Sequence, residues 1–184
     1  MLKRSLINIL TLDLSFRNVG YNITQLEQEG EDLRPKPLRE FTFKTKPESG
    51  SKEKVVENIV NNFLKVQGHF DRLVNEIEPD LMLIEFPFTS QSAQAAMLQR
   101  LCYGLIAGFD GYGIPIVLVH PNDVKMWCCG RIKNCDKQDI QNKTLQYFPD
   151  LLELKADEHV VDSYAILLSQ LENPNLILSQ YLSK

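Results

Sequence analysis

The chain has 184 residues, with 24 acidic against 20 basic side chains, a formal net charge of -4 and an isoelectric point near 5.4. That length suits one well-buried core and is short for two, so a single domain over residues 1–184 is expected. The acidic balance excludes a global pull on nucleic acid; a polyanionic partner would need local basic patches or metal held at carboxylates.

No apolar run reaches the length that spans a bilayer, and the opening MLKRSLINIL lacks the pattern of a secretory leader. Cys102, Cys128, Cys129 and Cys135 in such a chain point to a reducing, cytoplasmic compartment.

Leu6 to Leu14 is apolar apart from Asn8, Thr11 and Asp13, the pattern of a central strand covered on both faces. Ser15 to Asn18 supplies turn residues, and a second strand begins at Gly20. Gln25 to Pro37 is polar and broken by Gly30, Pro35 and Pro37, which predicts an exposed connection. Leu38 to Lys46 alternates and predicts a third strand of an antiparallel meander. Val55, Ile59, Val66, Phe70, Leu73 and Ile77 recur at helical spacing, so a long amphipathic helix should start near Ser51 and stop at Pro79, with Gly68 a weak point.

Asp80 to Phe86 is a short apolar strand carrying Glu85. A tightly packed helix over Ser90 to Phe109 and a buried strand over Ile114 to His120 follow. Pro121 opens a short helix through Trp127, which is expected in the core. Cys128 to Asp136 reads as an irregular basic loop with Arg131 and Lys133, and Lys137 to Tyr147 as a helix. Asp157 is the expected N-cap of a helix through Leu171, and a last short helix follows Pro174. The element order argues α/β with a mixed sheet.

Asp13, Glu85 and Asp162 each lie in or at the end of an apolar element, where an unpaired carboxylate is costly. His159 and Asp162 are three apart, and Glu158 and Asp162 four apart, so each pair shares a helical face. Acidic and imidazole groups clustered together repel unless a hard cation neutralises them, and oxygen-rich sites suit Mg²⁺ or Mn²⁺. Two such ions ~4 Å apart can drive in-line displacement at a phosphodiester. The competing reading has Asp13 capping a turn, Glu85 paired with a lysine and Asp162 on the surface.

LDLSFRNVGY resembles the first motif of the RuvC-type Holliday junction resolvases, and DLMLIEFPF their second. HPNDVKMWCCGRIKNCDKQDI resembles the family's Pro-x-x-Val-Lys segment, and DEHVVDSYAILL its terminal acidic helix. These motifs span roughly Leu6 to Leu171. The resemblance implies an RNase H-like fold, a mixed five-stranded sheet flanked by helices. It implies a homodimeric endonuclease, dependent on Mg²⁺ with Mn²⁺ able to substitute, that resolves four-way or branched DNA by paired nicks leaving 5′-phosphate and 3′-hydroxyl ends. Asp13, Glu85, His159 and Asp162 would be its catalytic and metal-holding residues, with Glu158 or Asp157 as further candidate ligands.

By the same resemblance Lys125 contacts the scissile region and joins Arg131, Lys133 and Lys137 on DNA. Phe88 is the aromatic that stacks on unpaired bases, with Phe86 competing for that role. The helix Ser90 to Phe109 is the dimer-interface candidate. The family's Gly-x-Gly-x-Ala-x-Lys pattern is reduced here to Gly130 and Lys137. A phage or mobile-element origin, hence a host cytoplasm, fits the divergent acidic chain. A flap or fork nuclease of the same fold and a non-catalytic branched-DNA-binding protein are the alternatives. A sugar-kinase-like ATPase would need a glycine-rich phosphate loop, which Ser15-Phe16-Arg17-Asn18 is not.

Two further signals read more plainly. Arg34 to Lys54 is rich in lysine and arginine and could line a duplex arm, although such runs usually form a solvated face. His120, Cys128, Cys129 and Cys135 match no common zinc-knuckle spacing, and adjacent cysteines chelate awkwardly, so buried thiols at Cys102 and Cys128 are expected instead.

Overall fold

The computed structural model describes residues 6–15, 18–29, 32–45, 51–87, 93–174 and 178–180. Five strands form one sheet in the order β3-β2-β1-β4-β5. β1 (Leu6–Leu14) is central, as its two-sided apolar pattern requires. It pairs antiparallel with β2 (Asn18–Glu29), which pairs antiparallel with β3 (Asp32–Lys44). On its other side β1 runs parallel to β4 (Leu81–Glu85), itself parallel to β5 (Ile116–Val119). This is the mixed sheet that the element order predicted, with the five strands that the resemblance implied.

The expected connection over Gln25 to Pro37 is instead the far half of a long hairpin, with Leu26 opposite Pro35 and Thr24 opposite Pro37. Proline lacks an N–H and is tolerated only where no ladder bond is needed, and β3 is an edge strand. A register shift between Ile23 and Thr24 absorbs the irregularity.

Strand alternation divides the core into two. Leu10, Leu12 and Leu14 of β1, Val19, Tyr21 and Ile23 of β2, and Met82 and Ile84 of β4 face one way. They pack on α1 (Lys52–Ile77) through Val66, Phe70, Leu73 and Val74, and on α2 (Ala93–Asp110) through Cys102, Leu105 and Phe109. Burying Phe70 completely contributes about 1.5–3 kcal/mol. Ser51 caps α1 by accepting from the Lys54 N–H, and the helix continues unbroken through Gly68, with Glu78 in a left-handed conformation at its end.

The opposite face presents Ile9, Leu26, Leu81, Leu83, Val117 and Val119 to four helices. These are α3 (Pro121–Cys129), α4 (Lys137–Tyr147), the short α5 (Asp150–Glu153) and α6 (Glu158–Glu172). α5 has no apolar period long enough to announce it. His120 is the N-cap of α3, its ring Nδ1 accepting from the Asn122 N–H at 3.1 Å. Trp127 is buried as expected and donates to Glu172 at 2.9 Å.

Candidate active site

Period-two alternation puts Asp13 on the same face of β1 as Ile9, and Glu85 on the same face of β4 as Leu83. Leu12 pairs with Ile84 across parallel strands, so the two carboxylates emerge beside one another at the strands' carboxyl ends. Helix α6 lies over that end. Its N-cap Asp157 accepts from the His159 N–H at 3.1 Å, and Lys44 of β3 holds Asp157 from the other side at 2.7 Å. The first turn of α6 therefore delivers His159 Nδ1 to within 2.9 Å of Asp13 Oδ2.

The approach of α6 depends on Gly20, which pairs with Asp13 across the β1–β2 ladder. A Cβ at Gly20 would stand 2.0 Å from the His159 carbonyl oxygen, closer than any real contact. Asn22, two residues on, donates to Ser163 Oγ at 3.0 Å and accepts from Thr24 at 2.9 Å, all three buried. A satisfied polar network of this kind fixes the position of the helix on the strand.

Asp13, His159 and Asp162 each offer one ligand atom, and those atoms all lie within 4.8 Å of one another. Burial pushes the Glu85 carboxyl up to about 8, with the charges of Asp13 and Asp162 adding to the rise and Lys137 opposing it. Burial and then the Asp13 charge raise Asp162 as well. The hydrogen bond that His159 donates to Asp13 holds the imidazole above its ordinary value against the effect of burial. Lys137 Nζ stands 3.0 Å from both Asp162 and Glu158, and Gln141 donates to Asp162 at 3.4 Å. The donor set is an oxygen-rich one with a single imidazole, and burial with the neighbouring negative charge raises both Asp162 and the adjacent Glu85. That chemistry fits a hard divalent cation.

Glu85, Lys125, Lys137 and Asp162 line one cleft of about 330 Å³ together with the apolar Val124, Ile140 and Ala165. The other expected site residues fall outside this group. Glu158 sits at the rim, 58% exposed, paired with Lys137 and 3.8 Å from His159 Nε2. Arg131 and Lys133 are exposed on the loop after α3 and do not line the cleft. Phe88 lies outside the described residues. Phe86 is half-buried between the His120 and Tyr103 rings. Within the basic run from Arg34, Lys36 lies near Glu27, Arg39 pairs with Glu76 and Lys44 with Asp157.

Sequence reading missed Gly20 as a contact residue, Gln141 as a partner of Asp162 and Lys44 as the support of the α6 cap. Gly20 alone left a signal, a glycine inside a strand pattern, which marks close backbone approach. Cys102 and Cys128 are free thiols as expected, with Cys102 buried and Cys128 only partly so, while Cys129 and Cys135 form a disulfide that the sequence did not announce. Gly130, left-handed at the end of α3, turns the chain back and brings Cys135 to the helix. Among the described residues no helix is long and apolar enough to cross a membrane.

No family model matches the sequence, and no curated protein matches it. Solved structures do. RuvC of T. thermophilus in complex with a Holliday junction substrate matches with a TM-score of 0.64 at 18% identity, over 89% of this chain and 92% of that one. The yeast mitochondrial Holliday junction resolvase Ydc2 matches with a TM-score of 0.57 at 12% identity, over 95% and 84%. The Fowlpox virus resolvase bound to Holliday junction DNA matches at 0.53 and 13%, over 90% and 97%. The chain therefore has the RNase H-like fold of the RuvC-type Holliday junction resolvases.

Proposed function

We propose that this protein is a divalent-metal-dependent endonuclease that resolves four-way DNA junctions by paired nicks, leaving 5′-phosphate and 3′-hydroxyl ends. One observation carries the reading: Asp13 and Glu85 stand at the ends of adjacent parallel strands beneath His159 and Asp162 of α6, and Glu85 and Asp162 line a cleft with Lys125 and Lys137. Asp13, His159 and Asp162 would hold Mg²⁺ or Mn²⁺, with Glu85 beside them. When bound, such a cation supplies Lewis-acid activation of water and of the phosphoryl oxygen.

The chain's own residues prepare that cleft. Lys137 supplies the positive charge that Asp162 and Glu158 lack, and together with Lys125 it provides point charges for a scissile phosphate. Asp13 orients the His159 ring through Nδ1, leaving Nε2 turned toward Glu158. The apolar wall of Val124, Ile140 and Ala165 lowers the local dielectric and strengthens each of these charges.

A homodimer belongs to this reading, because a near two-fold junction needs two coordinated nicks. Val56, Val60 and Leu64 form an exposed aliphatic stripe at i, i+4, i+8 on α1 that a second copy would cover.

The test is cleavage of a four-way junction, a Y-shaped fork and a linear duplex with Mg²⁺ or Mn²⁺, with binding measured in parallel. Glu85→Gln and Asp162→Asn are expected to bind the four-way junction like wild type and cut it more than ~100-fold more slowly. Undiminished cutting by both variants sinks the assignment, and equal cutting of forks would widen the substrate class.

A further inference from the structure

The loop between the two cleft lysines carries three sulfurs that the proposed nuclease chemistry does not use. Cys128 and Cys129 end α3, and Cys135 precedes Asp136, the N-cap of α4. The three sulfurs lie within 4.8 Å of one another, with 3.6 Å between those of Cys128 and Cys129. Two thiolates on a tetrahedral Zn²⁺ with ~2.3 Å bonds stand ~3.8 Å apart, so the adjacent pair has the spacing of a chelating edge despite its adjacency in sequence. Asp136 and Asp139 add negative charge around the Cys128 sulfur, opposed by Lys143. Cys128 and Cys129 are only partly buried, which leaves a fourth position open to water.

We infer that Cys128, Cys129 and Cys135 form a soft-metal site that binds one Zn²⁺ when the Cys129–Cys135 disulfide is reduced. The site is independent of the carboxylate cluster, whose hard oxygen donors suit other ions. Disulfide and ion are then alternative staples for the same loop, which runs from one turn beyond Lys125 to Lys137 and displays Arg131 and Lys133. Conversion takes two electrons. A phosphine reductant supplies them, taking an oxygen atom from water, and the two sulfurs leave as thiols bearing the water's protons. Binding of the ion then displaces three thiol protons.

Cobalt is the probe. The full chain, reduced with a phosphine under anaerobic conditions, is titrated with Co²⁺ and followed by absorption. One equivalent is expected to give an intense near-ultraviolet sulfur-to-cobalt band with the visible bands of tetrahedral coordination, and added Zn²⁺ should bleach them. The oxidised protein should show no such band. Cys128→Ser, which leaves the disulfide pair intact, should weaken Co²⁺ binding at least ~10-fold, and Asp13→Asn should leave the spectrum unchanged. Circular dichroism on each variant separates loss of the site from loss of the fold. A reduced wild type without the thiolate band overturns the inference, as does a band that survives unchanged in both Cys128→Ser and Cys135→Ser. Loss of junction cleavage would bear only on the carboxylate site.

Discussion

The two faces of the sheet are built from the same strands and differ in one respect. Toward α1 and α2, strands β1, β2 and β4 present Leu10, Leu12, Leu14, Val19, Tyr21, Ile23, Met82 and Ile84, of which only the Tyr21 hydroxyl is polar. Toward α6 the alternate residues include the apolar Ile9, Leu81 and Leu83, mixed with the polar Thr11, Asp13, Asn22, Thr24 and Glu85. The first face stabilises the sheet by burying area. The second gives up part of that gain to bring a helix terminus and four titratable groups together, and the raised Glu85 and Asp162 carboxyls are the physical record of the cost.

Substitutions should separate these roles. Phe70→Ala, which empties the α1 side, should cost about 3–5 kcal/mol in urea unfolding, while the folded fraction cuts junctions at the wild-type rate. A parallel fall in the rate per folded molecule would show that the faces are coupled. Gly20→Ala should do the reverse. Its methyl collides with the His159 backbone, so an overpacking cost of about 1–3 kcal/mol is expected, together with a larger loss of metal affinity as α6 shifts. Calorimetric titration with Mn²⁺ reads the second effect.

Proton linkage sharpens the contrast further. Glu85, Asp162 and His159 all have folded-state values above their ordinary ones, so without metal the folded protein binds the extra protons. The His159 contribution is fully present below its unfolded value and is lost as pH rises through the raised one, and stability likewise falls as Glu85 ionises, from its ordinary range up to about 8. Above about pH 8, Glu85→Gln should be more stable than metal-free wild type by on the order of 1 kcal/mol, and saturating Mn²⁺ should erase the difference. Stability that climbs across this window would contradict the crowded carboxylates. The smallest effect expected is that of Lys44→Ala, ~0–1 kcal/mol, because the Lys44–Asp157 pair is solvent-screened. Its metal affinity should fall less than that of Gly20→Ala.

Much of this was legible beforehand. The central strand, the long helix capped by Ser51, the helix Lys137–Tyr147 and the Asp157 cap follow from apolar period and cap chemistry over a few residues. The long β2–β3 hairpin was hidden because Pro35 and Pro37 read as breakers until their strand is known to be an edge. The pairing of Cys129 with Cys135 was hidden because it depends on the left-handed turn at Gly130.

Apart from α5, the sequence by itself determined the order of strands and helices and which residues share a face, because period and capping are short-range properties of the backbone. The tertiary structure decided that Asp13 and Glu85 stand side by side and that His159 reaches Asp13. It also decided that Lys137 bridges Asp162 and Glu158. Those contacts depend on strand register and on how closely α6 can approach Gly20, distances that no local pattern encodes.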